Sequence, residues 1–62
     1  MGIEELLMIE PPPKPWVVVS NGKPVGYGDT HDEAYVHTKG LKFWAMWDCT
    51  DPKKPRFAGA RA

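Results

Sequence analysis

The clearest pattern in the chain is a short apolar run that turns back on itself. Trp16-Val17-Val18-Val19-Ser20 places three β-branched residues behind a tryptophan, which suits a pleated surface. Asn21-Gly22 follows, and both residues tolerate the positive φ that a type I′ turn demands. Lys23-Pro24-Val25-Gly26-Tyr27 then returns as a second strand. A two-residue loop sets Ser20 opposite Lys23, Val18 opposite Val25 and Trp16 opposite Tyr27, on one side of the hairpin. Val17, Val19, Pro24 and Gly26 take the other side. Pro24 cannot donate to a ladder, so the second strand is expected at a sheet edge.

Gly28-Asp29-Thr30 opens a helix. Thr30 can cap the free N–H groups and Glu33, three residues on, can reach back, a capping box. Asp32 and Glu33 suit the positive end of the helix dipole. Ala34, Thr38 and Leu41 then share a face, and Gly40 has the freedom to end the helix in the left-handed conformation. From Phe43 to Cys49 the aromatic content and the preceding glycine predict a third strand rather than a continued helix. Phe43, Ala45, Trp47 and Cys49 would point one way, and Trp44, Met46 and Asp48 the other. Thr50-Asp51-Pro52 ends it.

The flanks read differently. Ile3, Leu6 and Leu7 line one face of a helical turn or two over residues 1–9, too short to be stable alone in water. Pro11-Pro12-Pro13-Lys14-Pro15 is an extended polyproline spacer. Residues 53–62 are polar and basic, and the expectation is a loose tail unless Phe57 docks. The layout is thus an α+β fold: an N-terminal segment and Pro-rich spacer (1–15), a ββαβ domain (16–51) with one helix packed on one face of a three-stranded sheet, and a basic tail (52–62).

Composition narrows the function classes. A chain of 62 residues buries only about 60% of its unfolded surface, so its core is marginal and calls for efficient packing, self-association or a partner. Cys49 is the only cysteine, which excludes an internal disulfide and fits a reducing compartment such as the cytoplasm. With His31 and His37 it makes the only soft-ligand or nucleophile–base set. Those three residues do not make a metal cluster, and catalysis also needs a preorganised pocket, so neither a metal, a cofactor nor an enzyme is expected. Gly26-Tyr27-Gly28 superficially suggests a phosphate cradle, but no lysine follows and acids occupy the helix start. No stretch approaches the roughly twenty apolar residues of a membrane span.

Eight basic and eight acidic residues cancel overall, but Glu4, Glu5 and Glu10 crowd the head while Lys53, Lys54, Arg56 and Arg61 crowd the tail. One helix covers one sheet face, so aromatic surface is expected on the other. Such a patch marks a binding site, and aromatic and methionine side chains favour interface centres. The expected function is a non-catalytic protein-binding module or self-associating domain, with Trp16, Trp44, Met46 and Tyr27 as anchors and the edge strand as a second contact. The alternative is a single-stranded nucleic-acid binder using the same aromatics with Lys53, Lys54 and Arg56.

Gly28-Asp29-Thr30-x-x-Glu33-Ala34, behind a strand, resembles two known groups. One is a set of short prokaryotic ββαβ domains of unknown function, with a Trp-Val strand, a small hairpin turn and this helix start. The likeness runs from about Trp16 to Asp51 and implies a fold without an activity. The other is the HicB-type antitoxin, whose resemblance implies a domain that binds and blocks a small RNA-cleaving toxin. The chain departs from that family in having one hairpin before the helix and no C-terminal DNA-binding segment. Thr30-x-Asp32-Glu33-Ala34 is also similar to the helix start of a small phage inhibitor of bacterial RNA polymerase, which implies a regulatory inhibitor.

Overall fold

A computed structural model describes residues 2–61; Met1 and Ala62, at the outer ends of the expected N-terminal segment and basic tail, lie outside the described residues. The elements are α1 (Ile3–Ile9), β1 (Trp16–Ser20), β2 (Lys23–Gly28), α2 (His31–Val36), β3 (Trp44–Asp48) and β4 (Arg56–Arg61). All adjacent strands are antiparallel, in the order β2-β1-β3-β4. The fold is α+β as expected, but the described residues form four strands and two helices where three and one were expected.

The hairpin forms at its expected turn. Asn21 and Gly22 have φ of 54° and 75°, the left-handed values that favour these residue types. Ser20 pairs with Lys23, and β2 is an edge strand. The rest of the register differs, because a bulge at Val25 adds one residue to β2. Val18 therefore pairs with Gly26 and Trp16 with Gly28, while Tyr27 pairs with Val17. One inserted residue reverses the alternation beyond it, so Tyr27 lies on the face opposite Trp16.

Each sheet face is covered in part by a helix. On one face α2 packs on β2 and β1. Val18, Ala34 and Met46 form the buried cluster there, with Trp16, Leu41 and Trp44 around it. Gly26 and Gly28 make this close approach possible. A Cβ at Gly26 would overlap the His37 side chain, and one at Gly28 would overlap the backbone of α2 at Ala34. The Gly-Tyr-Gly stretch is thus a packing surface for a helix. On the other face Leu7 of α1, 2% exposed, inserts among Val17, Val19 and Cys49. Ile3, Tyr27 and Trp47 pack around that cluster. A central strand with a helix over each face explains why Val17, Val18 and Val19 are all buried, without alternation.

Three expectations are corrected here. The basic tail is not loose: from Arg56 it pairs with β3 as a fourth strand. The N-terminal helical turn docks through Leu7, so no sheet face is left wholly bare. Met46 is 0% exposed in the cluster under α2 and cannot serve as a surface anchor. The reason is common to all three: each depends on a contact distant in sequence.

The helix start is built as its sequence predicts. Thr30 Oγ1 accepts from the Glu33 N–H at 3.2 Å, and Glu33 Oε2 accepts from the Asp29 N–H at 2.8 Å. The reach-back goes one residue beyond the cap. His37 caps the C-terminus of a helix that is shorter than expected, and Gly40, φ 83°, ends the turns that follow. Thr38 Oγ1 donates to the Tyr35 carbonyl at 2.7 Å, which satisfies the one buried polar side chain on that side.

Candidate binding surface

Trp16 and Trp44 begin β1 and β3. Because those strands are antiparallel, the two rings sit at opposite ends of the same sheet face. His31 and Tyr35, one helical turn apart on α2, bridge them. The ring centroids lie 5.5 Å apart from Trp16 to His31, 6.0 Å from His31 to Tyr35 and 5.8 Å from Tyr35 to Trp44. The first and last pairs are edge-on and the middle one is stacked, the arrangements that aromatic quadrupoles favour. The result is a continuous aromatic wall along the side of α2, and Tyr35 is 49% exposed on it. Trp16 and Trp44 are half-buried. Sequence reasoning found both tryptophans but missed His31 and Tyr35. Their i, i+4 spacing was the available signal.

Beyond Trp44 and Met46, which pack against the α2 cluster, this face continues onto β4. Here the register decides what lies together. Trp44 pairs with Arg61, Met46 with Gly59 and Asp48 with Arg56, and Asp48 also pairs with Trp16 across β1. Each arginine therefore ends a cross-strand row that includes one tryptophan of the wall. Arg56 and Arg61 are five residues apart and would face opposite ways on a regular strand. The bulge in β4 at Ala58 restores them to one face. Phe57 and Ala60 take the other face, where Phe57 is 61% exposed and meets Trp47 edge-on at 5.8 Å. The indole N–H of Trp47 is buried and has no acceptor among the described residues.

β4 is the outer strand, and its residues are exposed except for half-buried Gly59. Its outward backbone groups carry no ladder. Of the basic residues singled out from sequence, Arg56 stands on this strand. Lys53 and Lys54 stand in the preceding turn, where the carboxylate and carbonyl of Asp51 accept from their backbone N–H groups. None of the three, nor Arg61, makes an ion pair among the described residues. Tyr27, the fourth aromatic anchor singled out, packs half-buried beside α1 on the opposite face and does not join the wall.

The sheet keeps the reactive groups apart. Cys49 is buried beside Leu7 on the α1 face, whereas His31 and His37 lie on the α2 face. Burial pushes the Cys49 thiol up, and the neighbouring Asp48 charge adds to that, so the reactive thiolate is disfavoured. Asp48 moves the other way. Thr50 donates to its Oδ1 from both the backbone N–H, at 2.9 Å, and the hydroxyl, at 2.8 Å. These bonds hold its carboxyl below the usual range, against a small opposing effect of burial and with help from Arg56. Among the described residues no pocket forms, no His, Cys, Asp and Glu side chains gather to hold a metal ion, and no helix is long and apolar enough to cross a membrane. The chain matches no family model, no curated protein and no solved structure.

Proposed function

We propose that this chain is a non-catalytic protein-binding module, a small regulatory or phage-type inhibitor whose partner adds a strand to β4. The observation that carries this reading is the difference between the sheet's two edges. The outer strand β2 contains Pro24 and lies under α2, both of which blunt it, whereas each edge strand carries one bulge. β4 runs without proline from Arg56 to Arg61 and presents an open ladder. Strand addition draws affinity from backbone hydrogen bonds and specificity from alternate side chains. Phe57 on one side and the row from Arg61 to Trp44 on the other are those side chains.

The test is a capture experiment from nuclease-treated lysate with washes at rising salt. The native chain should retain a specific protein at high salt. Phe57→Glu combined with Arg61→Glu should release it, and Val25→Glu on the opposite edge should not. Loss with the β2 variant alone would contradict the assignment.

A second reading is single-stranded nucleic-acid binding, favoured by the aromatic wall lying beside Arg61 and Arg56. Stacking on such rings contributes about 1–3 kcal/mol per base. Binding of that kind releases counterions and collapses as salt rises, which separates it from strand addition in the same washes.

A further inference from the structure

We infer that the segment taken up by β4 is an extended acidic peptide, with two carboxylates four residues apart on one face. This inference rests on the proposal that β4 accepts a strand, and it names the chemistry of that strand. Four of the eight basic residues, Lys53, Lys54, Arg56 and Arg61, stand on β4 or in the turn before it. The acids nearest in sequence are Asp48 and Asp51, and both are engaged. Asp48 accepts from Thr50 and faces Arg56 in the register, and Asp51 accepts from the Lys53 N–H.

The bulge turns this charge into a pattern. It puts Arg56 and Arg61 on the same side of the sheet. A strand crossing both therefore needs its acids on one side too, at an even spacing. β3 already shows what that spacing is on an unbulged neighbour: Arg61 meets Trp44 and Arg56 meets Asp48, four residues apart. The residue next to the acid that faces Arg56 then lies on Phe57's side, where an apolar side chain meets the exposed ring.

A second copy of this chain is a poor occupant. In full antiparallel overlap of two β4 strands, Arg56 of one copy faces Arg61 of the other at both ends, and directly opposed like charges destabilise a pair. The remaining strands, β1, β2 and β3, contain no two acids at all. A nucleic acid satisfies the arginines but leaves the outward N–H and carbonyl groups of β4 without a strand partner.

Three ten-residue peptides of alternating threonine and valine serve as probes with the full chain: one with Glu at positions i and i+4, one with Glu at i and i+3, and one with Lys at i and i+4. Binding is followed through the backbone amide NMR signals of β4. The i, i+4 glutamate peptide should bind about threefold to fivefold more tightly than the i, i+3 peptide, which keeps only one of its two acids on the arginine side, as expected for one well-placed cross-strand charge pair. The Lys peptide should bind most weakly, and Arg56→Glu with Arg61→Glu should invert the order of the Glu and Lys peptides. Equal binding of all three at β4 would overturn the acidic partner while leaving strand addition intact. Failure of every peptide to shift β4 would overturn both. Two other results would also overturn the acidic peptide: concentration-dependent dimerisation that blocks all three, or an oligothymidylate probe that outcompetes the glutamate peptide at β4.

Discussion

The two edges of this sheet are built to opposite ends. β2 carries a proline and lies against a helix seated on two side-chain-free positions, Gly26 and Gly28. β4 carries no proline and no covering helix, and its side chains are mostly in solvent. Stability and exposure divide accordingly. The buried residues that hold the sheet to its helices are Val17, Val18, Val19, Leu7, Ala34, Met46 and Cys49, and none of them is on β4. The covered half of the molecule holds the fold, while the open half adds a strand that contributes little burial of its own. An edge left open in a marginal 62-residue domain is an aggregation hazard unless charges guard it. The arginines at both ends of β4 do so, and the same charge is the basis of the acidic partner proposed above.

Mutations at the covered half should have the largest effects. Gly28→Val drives a side chain into the backbone of α2 at Ala34, which cannot swing aside as a side chain tip would. A loss of about 3 kcal/mol or more is expected, seen as a chain largely unfolded in the absence of urea. Leu7→Ala removes the one α1 side chain seated among Val17, Val19 and Cys49. About 2 kcal/mol should be lost, the low end for a buried leucine because α1 can detach alone. With α1 loosened, Cys49 should label with a thiol reagent markedly faster than in the native chain, where it is buried. Phe57→Ala tests the open half. It removes one edge-on ring contact with Trp47 from a largely exposed site, so about 1 kcal/mol or less is expected in urea denaturation. A cost as large as that of Leu7→Ala would show that β4 carries core stability and would erase the contrast between the edges.

The smallest effect concerns pH. Asp48 is held below its ordinary range by the two Thr50 hydrogen bonds, so its ionised form is favoured in the folded chain. Its contribution is present above the unfolded carboxyl value, near pH 4, and is lost as pH falls through the lower folded value. Asp48→Asn should lower stability slightly in the neutral region, where the ionised carboxylate makes its contribution, and flatten the further fall as pH drops below about 4. An unaltered acid limb would remove Asp48 from the turn's energetics.

What the sequence made legible was local. The Asn21-Gly22 turn, the Thr30–Glu33 capping box, the alternation of β3 and the edge position of Pro24 each follow from a few adjacent residues with strong conformational preferences. The pieces that escaped were those fixed by distant contacts. Arg-Phe-Ala-Gly-Ala-Arg has weak strand propensity and becomes β4 because β3 offers it a ladder. The bulge at Val25 has no sequence signature, yet it sends Tyr27 to the α1 face and so removed one expected anchor. Met46 was placed on its correct side of β3 but on the wrong side of the question, since that side is the one α2 covers. The aromatic wall was half legible: Trp16 and Trp44 were visible as large surface-capable rings, while His31 and Tyr35 join them only once α2 is laid across β1 and β2.

The most direct test of this account is amide hydrogen exchange across Arg56–Arg61 in the free chain and with the i, i+4 glutamate peptide bound. The account predicts that the β4 amides directed at β3 exchange slowly in the free chain, that the outward ones exchange fast, and that the peptide slows the outward set while leaving β2 unchanged. Uniformly fast exchange from Arg56 to Arg61 in the free chain would contradict it, because β4 would then be an unpaired tail and the sheet would have no open edge there to offer.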